Sequence, residues 1–421
     1  MDVLISGAGV AGLMTAYWLR QYGFNPTIVE RADALVVGGY KIDVRGTALE
    51  VLQRTGIHED VVSASTHMQG AMLVDREGNV IGNMSGDEFG HRVGEDLEIV
   101  RGTLCQILMS RTLGIETIFG DSVASIAQSA DGAAVTFTTS GTRTFDLVIG
   151  ADGLHSNVRQ KAFGDEAQFL HDLGMYLCVF SVPNYMNLDR MEVQYAEIGR
   201  VAAVWSTRDD ATAKACFGFA APALQIDLRD RDQQEHALRT VYEGIQWEVP
   251  RLLELMPAAT DWYFDTAAQI DMSEWTRDRV ALVGDAAYCA SPMSGQGSSL
   301  ALIGAYVLAG ELAARRDDRQ AAFAEYHRVM RPFVSMNQEL GRQSASFMTS
   351  GAPDTPAELS GSMIESVIDS TTDRIADAAN AVTLKDYSAF IARSTPADRR
   401  FGIAGRVRGG VDAPDRGGSS Y

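Results

Sequence analysis

The chain has 421 residues, with 36 Lys+Arg against 55 Asp+Glu and a formal net charge of −19 at pH 7. At about 100–200 residues per domain, that length makes two or three domains, with room for a core that needs no disulfide or metal staple. So acidic a chain repels nucleic acid and anionic membranes at long range, which excludes both as partners, and any phosphate-bearing ligand has to be held by local geometry.

The four cysteines, Cys105, Cys178, Cys216 and Cys289, form no C-x-x-C pair, and the seven histidines are scattered without metal-ligand spacing. Neither a disulfide framework nor a metal site is expected, and a reduced, cytoplasmic setting follows. Met1-Asp2-Val3-Leu4-Ile5-Ser6 reads as a strand from the start, leaving no basic segment for a signal peptide. No stretch approaches the roughly 18 uncharged apolar residues of a membrane helix, so no membrane span is expected. A monomer or weak dimer is the expected state.

In chain order, Val3–Ser6 reads as a buried strand, Ala11–Tyr22 as a helix and Pro26–Glu30 as a second strand, a β-α-β unit that begins a parallel sheet. Ala71–Val74 and Asn79–Ile81 flank Asp75-Arg-Glu-Gly78 as a hairpin. Arg101–Thr112 returns to helical spacing, and antiparallel strands around 122–129 and 133–138 lead into a buried strand at Phe145–Gly150. Between about 170 and 265 the pattern changes to short alternating segments, Met175–Val182, Met191–Ala196, Arg200–Thr207 and Lys214–Ala220, with a helical patch at Gln233–Tyr242. This reads as a separate, mostly antiparallel sheet. Arg279–Val283 is again a buried strand, followed by a Gly-rich loop and a helix from about Ser298 to Arg315.

The expected architecture is α/β: a doubly wound, Rossmann-like dinucleotide domain of the glutathione-reductase type, carrying an inserted antiparallel sheet and closing helices. Its boundaries fall at 1–66, 99–168 and 266–317 for the discontinuous dinucleotide domain, and at 67–98 and 169–265 for the sheet that faces substrate. Residues 318–393 read as C-terminal helices, broken near Gly351-Ala-Pro353, and 394–421 as a disordered, Gly-rich tail.

Gly7-x-Gly9-x-x-Gly12 sits between the first strand and helix, and Glu30 closes the second strand 30 − 7 = 23 residues later. Gly7 permits the tight turn, Gly9 lets a diphosphate approach the backbone, and Gly12 lets helix and strand pack closely. Val10 and Ala11 open the helix whose N–H groups and dipole attract the phosphates. Glu30, with Arg31 beside it, is placed for the ribose hydroxyls, and a carboxylate there disfavours a 2′-phosphate, so the ligand is FAD or NAD rather than NADP. The alternative is a tight turn in an α/β protein that holds no ligand.

Two further patterns separate FAD from NAD. One is Asp146-Leu-Val-Ile-Gly150-Ala151-Asp152-Gly153, continuing to Arg159. The other is Arg279-Val-Ala-Leu-Val-Gly284-Asp285-Ala286-Ala287, then Pro292-Met-Ser-Gly295-Gln-Gly297-Ser298. Three motifs in this order resemble the class A flavoprotein monooxygenases, the aromatic-hydroxylase family that includes para-hydroxybenzoate hydroxylase and the tetracycline-inactivating monooxygenases. The resemblance covers about residues 1–315, is strong in the motifs and weak in the middle sheet and C-terminal helices.

The resemblance implies that Asp285 binds the ribityl chain and that Arg101, opening Arg101-Gly-Thr-Leu104, reaches the cofactor's polar chain. It also implies that Gly295, Gly297 and Ser298 aim a helix N-terminus at the flavin ring, where reduced flavin is anionic. Asp152 matches a segment associated with both diphosphate and NAD(P)H, as does Arg159; the alternative is a helix-capping Asp and a surface Arg. The loop Gly38-Gly39-Tyr40-Lys41-Ile42-Asp43-Val44-Arg45-Gly46 matches one that flanks the flavin. Asp43 is expected at the cofactor, and Lys41, Arg45, Arg159 and Pro292 at NAD(P)H or substrate.

Tyr288, Ser299 and Gly304 depart from the His, Asn and Asp frequent there, which puts the pocket beside the ring in question. Cys289 lies near the flavin loop, as a site of covalent attachment or as a small buried thiol. Trp247-Glu-Val-Pro250 lacks the flavin-halogenase pattern, and no hydrolase nucleophile motif is present.

The implied reaction is hydroxylation of an aromatic, phenolic or polyketide-like small molecule, with NADPH or NADH as transient co-substrate and O2 activated as a flavin C4a-hydroperoxide. A flavin dehydrogenase or reductase that does not activate O2 would keep all three motifs.

Overall fold

The computed structural model describes residues 1–197, 199–207, 211–221, 224–349 and 371–392. The expected helix break near 351–353 and the tail over 394–421 lie outside the described residues.

Val3, Leu4 and Ile5 are fully buried, and the Asp2–Ser6 strand is the middle of a six-stranded sheet. It pairs in parallel with Asn25–Glu30 on one side and Leu147–Gly150 on the other. Glu116–Phe119 extends the sheet beyond Asn25–Glu30, and Val280–Leu282 extends it beyond Leu147–Gly150. Thr276–Arg277 adds an antiparallel edge. In register, Ser6 lies beside Gly150 and Val29, and Gly150 beside Leu282. The glycine turn, Glu30, the Ala151-Asp152 segment and Gly284-Asp285 therefore all leave the sheet at its carboxyl edge, where open α/β sheets bind ligands.

Two helices cover this edge, Val10–Gln21 and Gly297–Ala314. The second corrects an expectation, since it is long and apolar enough to cross a membrane. Its all-round apolarity has a structural cause: every residue from Ser299 to Ala313 is buried, so it has no solvent face to keep polar.

The inserted layer is a seven-stranded sheet in the order Tyr263–Ile270, Leu170–Pro183, Thr212–Ala220, Arg200–Ser206, Met191–Glu197, Gly70–Val74 and Val80–Ser85. It is antiparallel except where Met191–Glu197 runs parallel to Gly70–Val74, the join between the early hairpin and the later strands. One face packs Phe180, Phe217, Phe219 and Phe264 under the helices Arg231–Val241 and Val249–Leu255. The other end of the molecule is closed by a long helix, Arg319–Thr349, which holds Pro332 in its interior.

The seam between the layers is ionic. Lys41, on a strand Lys41–Val44 paired with Leu97–Val100, places Nζ 2.9 Å from Glu192 of the large sheet and 3.5 Å from Glu98. Its ammonium also lies 5.2 Å from the Trp205 ring centroid. Burial works to lower the Lys41 pKa, but Glu192 and Glu98 outweigh it and the net shift is upward. Arg92 meets Glu98 at 3.1 Å, and Arg45 meets Asp43 at 2.8 Å. Removing one member of such a network leaves buried charge uncompensated. Lys41→Met is expected to cost about 3–5 kcal/mol in urea unfolding, and an unchanged midpoint and slope would contradict a stabilising seam.

Candidate active site

The first turn is shaped by close approach. Gly7 has φ +109°, and its N–H donates to the Val29 carbonyl at 2.7 Å. A Cβ at Gly7 would overlap the Ala151 carbonyl, and one at Gly12 would overlap the Gly7 carbonyl, so neither position admits a side chain. Gly9 is the extended N-cap of Val10–Gln21 and brings no side-chain acceptor to the helix start. The amides of the first turn, Val10 and Ala11 included, are thus left for an external acceptor. Glu30 braces this turn: its Oε2 accepts from Ala8 N–H at 2.7 Å and its Oε1 from Ala32 N–H at 2.9 Å. Each carboxylate oxygen keeps a further lone pair for a ligand hydroxyl. Arg31, next in the chain, is exposed.

Arg101 begins the helix Arg101–Arg111 and is anchored by its backbone N–H to Tyr40 O at 3.0 Å. Its Nη2 lies 3.4 Å from where a Cβ on Gly9 would be. Burial works against its charge, while Tyr40 and Asp285 favour it, and the net pKa shift is upward. Among the described residues no carboxylate reaches it within salt-bridge distance, so this half-buried cation stands beside an uncapped helix start.

Asp285 follows Gly284, whose φ is +66°. It is exposed along a cleft yet enclosed by protein: burial raises its carboxyl pKa, with Arg101 and the Cys289 thiol opposing. A Cβ on Gly284 would sit 2.9 Å from Ala11 Cβ, and one on Gly297 would sit 3.8 Å from Asp285 Oδ1. The starts of the two helices and the Asp285 carboxylate therefore share one cleft. Gln296 caps Gly297–Ala314 without a side-chain bond, so the amides of Gly297 and Ser298 are also left for a ligand. Gly295 (φ +65°) has nothing within 4 Å of a Cβ position, and Pro292 is exposed.

This donor set fits FAD. Two uncapped helix starts and an unpaired guanidinium suit a diphosphate, and two carboxylates, at 30 and 285, suit ribose and ribityl hydroxyls.

The remaining expected residues are turned inward. Asp152 accepts from Ser156 Oγ at 2.5 Å and Val158 N–H at 3.0 Å, which is the capping role given above as its alternative. Arg159 is not the surface residue of that alternative. It is fully buried, donating to Glu166 at 2.5 Å, Leu154 O at 2.6 Å and Ala286 O at 3.1 Å. Arg45 is also buried and donates to Gly90 O at 2.5 Å and His91 O at 2.7 Å. Asp43 is raised in pKa by burial, opposed by Arg45. With Lys41 in the seam, none of these three cations is free in the cleft.

Cys289 is buried, and burial pushes its thiol pKa well above the usual range, as for a neutral thiol. The departures at 288 and 304 prove to be one paired change: a Cβ on Gly304 would overlap the Tyr288 hydroxyl, so Gly304 makes room for the larger ring. Tyr288 is 1% exposed, and its hydroxyl lies 3.0 Å from that of Tyr326. Both positions lie in the core behind the loop. Ser299 is likewise buried, and its Oγ accepts from Arg45 N–H at 3.2 Å.

Sequence reasoning missed Tyr40 and Tyr263, whose rings meet at 5.4 Å and 51° across the two layers. Burial is the leading cause of the raised pKa of both, and Asp285 contributes. Tyr40 lies in the quoted loop, but Tyr263 opens a strand that carried no periodic signal.

The sequence profile of the FAD binding domain family matches residues 1–338. The chain belongs to that family. An uncharacterized protein of Mycobacterium tuberculosis is 42% identical over 388 residues, covering 91% of this chain and 99% of its own. A flavin-dependent monooxygenase of Legionella longbeachae is 37% identical over 389 residues, covering 92% and 98%. The crystal structure of tetracycline destructase Tet(55) superposes with a TM-score of 0.84 at 38% identity, over 91% of this chain and 98% of that one.

If the cleft holds the cofactor as family membership and geometry together imply, Arg101→Met should weaken FAD binding about tenfold or more by equilibrium titration, as loss of a charged hydrogen bond does. Asp285→Ala should do the same. Unchanged dissociation constants for both variants would place the cofactor elsewhere.

Proposed function

We propose that the protein is an FAD-dependent monooxygenase that hydroxylates a fused-ring phenolic small molecule of the polyketide type, with NADPH or NADH as reductant. What carries the reading is the meeting of two uncapped helix starts, Arg101 and Asp285 in one cleft, in a chain of the FAD binding domain family. The substrate class follows from similarity over nine-tenths of the chain to a protein described as a tetracycline destructase. When bound and reduced, FAD supplies the electrons that divide O2, one atom entering the product and the other leaving as water.

In this reading the amides of Val10 and Ala11 and the Arg101 guanidinium hold the diphosphate. Glu30 takes ribose hydroxyls with Arg31 nearby, and Asp285 takes the ribityl chain. The amides of Gly297 and Ser298 face the polar edge of the ring, where a helix start stabilises developing negative charge by about 0.3–2 kcal/mol, while Gly295, its own N–H bonded to Pro292 O at 3.0 Å, lets the backbone come close. Pro292 flanks the ring, and Asp43 stands behind it, paired with Arg45. Lys41, Arg45, Asp152 and Arg159 shape the walls through the internal partners described above.

Water is kept out by an apolar junction of the large sheet, the flavin-side loop and the long helix, where Met175, Ala267, Met293, Ala345 and Met348 pack together. Methionines among small residues adapt to the outline of a flat polycyclic ligand. All four cysteines are unpaired, which suits catalysis in a reducing cytoplasm.

Protein reconstituted with FAD is to be given NADPH or NADH, a tetracycline-type phenol and isotopically labelled O2. The expected outcome is substrate-stimulated oxidation of the nicotinamide with one labelled oxygen in the product. Unlabelled product formed anaerobically would instead indicate a dehydrogenase or reductase.

A further inference from the structure

Ser291 precedes the Pro292–Ser294 turn with φ +74° and ψ +148°, a conformation that glycine adopts readily and serine does not. It is buried, and its Oγ accepts from Met293 N–H at 3.3 Å. Something must hold the chain in this state, and the structure shows what does. The two carbonyls just before it, of Cys289 and Ala290, are gripped from two other elements. Gln269, on the Tyr263–Ile270 strand, donates from Nε2 to Ala290 O at 3.1 Å and to Gln338 O of the long helix at 2.7 Å. Gln338 donates from its own Nε2 to Ile270 O at 2.8 Å and to Cys289 O at 3.5 Å. The Ile270 N–H also donates to Cys289 O at 3.1 Å. Arg342 completes the set by donating to Gln269 Oε1 at 3.1 Å.

Gly341 makes the approach possible, because a Cβ there would overlap the Ala290 carbonyl and lie 2.9 Å from Gln269 Nε2. Gln269 and Gln338 are 2% and 6% exposed, so both donors of the Gln269 amide and its oxygen are committed out of water. A buried amide whose donors and acceptor are all used fixes geometry more tightly than packing alone. Neither glutamine has a role in the site as described above.

We propose that Gln269 and Gln338 form an amide latch that holds the strained Ser291 conformation and so sets where the Pro292–Ser298 segment stands relative to the flavin ring. Both are positioning residues, acting through the loop they hold. The inference rests on the monooxygenase reading. Its functional consequence is coupling. In the coupled reaction NADPH, H+, O2 and substrate give NADP+, water and hydroxylated product. In the uncoupled reaction NADPH, H+ and O2 give NADP+ and hydrogen peroxide, with substrate untouched. A loop displaced by a fraction of an ångström moves the ring relative to substrate, and misplacements of that order cost catalysis about tenfold or more.

The test compares wild type with Gln269→Met, Ser291→Gly and the double variant. For each, hydrogen exchange of peptides spanning 286–300 is measured in the FAD-free protein, and the ratio of peroxide to hydroxylated product in the FAD-loaded enzyme. Gln269→Met is expected to speed exchange in those peptides and raise the peroxide ratio about tenfold. Ser291→Gly in the same background should bring both back towards wild type, because glycine removes the strain the latch opposes. If Gln269→Met does not fold, Arg342→Met, which strips only an outer partner of Gln269, carries the same comparison with a smaller effect. Wild-type exchange and coupling in the latch variant, or failure of Ser291→Gly to restore them, overturns the latch. Wild-type protein that makes no hydroxylated product overturns the functional reading and not the latch, whose exchange signature is read without cofactor.

Discussion

A protein carrying a net charge of −19 has to hold a ligand that is itself doubly negative, and the rest of the structure follows from how it does so. The long-range field opposes binding, so the attraction has to come from groups within a few ångströms. In the proposed reading, backbone dipoles at the starts of two buried helices supply part of it, and the Arg101 guanidinium, which stands beside Gly9 and meets no carboxylate among the described residues, supplies the rest. An unpaired, half-buried cation is costly in the free protein. That cost is tolerable where a ligand's phosphates complete the pair.

Bringing those groups together needs the parallel sheet. Only when Ser6, Gly150 and Leu282 lie in register do the glycine turn, the Ala151-Asp152 segment and Gly284-Asp285 emerge at one edge. Close packing then restricts side chains at Gly7, Gly12 and Gly284, each of which would collide with a neighbour if it carried a Cβ. The Tyr288 and Gly304 pair shows the same logic further back, with volume gained at one position and surrendered at the other. The inserted sheet is fastened to this base by the Lys41, Glu98 and Glu192 seam, by Tyr40 against Tyr263, and by His155, which bridges to Asp265 at 3.4 Å and Glu166 at 2.9 Å.

Much of this was legible in the sequence because the chemistry is local. Gly7, Gly9, Gly12 and Glu30 belong to one β-α-β unit, and Asp285 follows three residues after the strand Val280–Leu282. What was hidden depends on contacts between distant segments. Nothing in the local pattern of Lys41, Arg45 or Arg159 says that each cation will meet a carboxylate or carbonyl far away in the chain. The strand Tyr263–Ile270 was not foreseen because most of it is buried on both faces, which removes the alternation that marks a half-exposed strand. The short helix His58–Ser63 was missed because six residues are too few to show a period, whereas Thr47–Thr55 was overlooked although Ala48, Leu49, Val51, Leu52 and Thr55 fall at helical spacing on its buried face. Helix Gly297–Ala314 was underestimated in apolar length because Ser298, Ser299 and Glu311 interrupt its apolar run, although Ser299 and Glu311 are buried in the fold.

The most direct measurement is a crystal structure of the protein with FAD bound. The account predicts diphosphate oxygens at roughly 2.7–3.2 Å from the amides of Val10 and Ala11 and from the Arg101 guanidinium, with a ribityl hydroxyl on Asp285. A diphosphate lying away from that helix start, with Arg101 paired to a carboxylate of the protein instead, would contradict it.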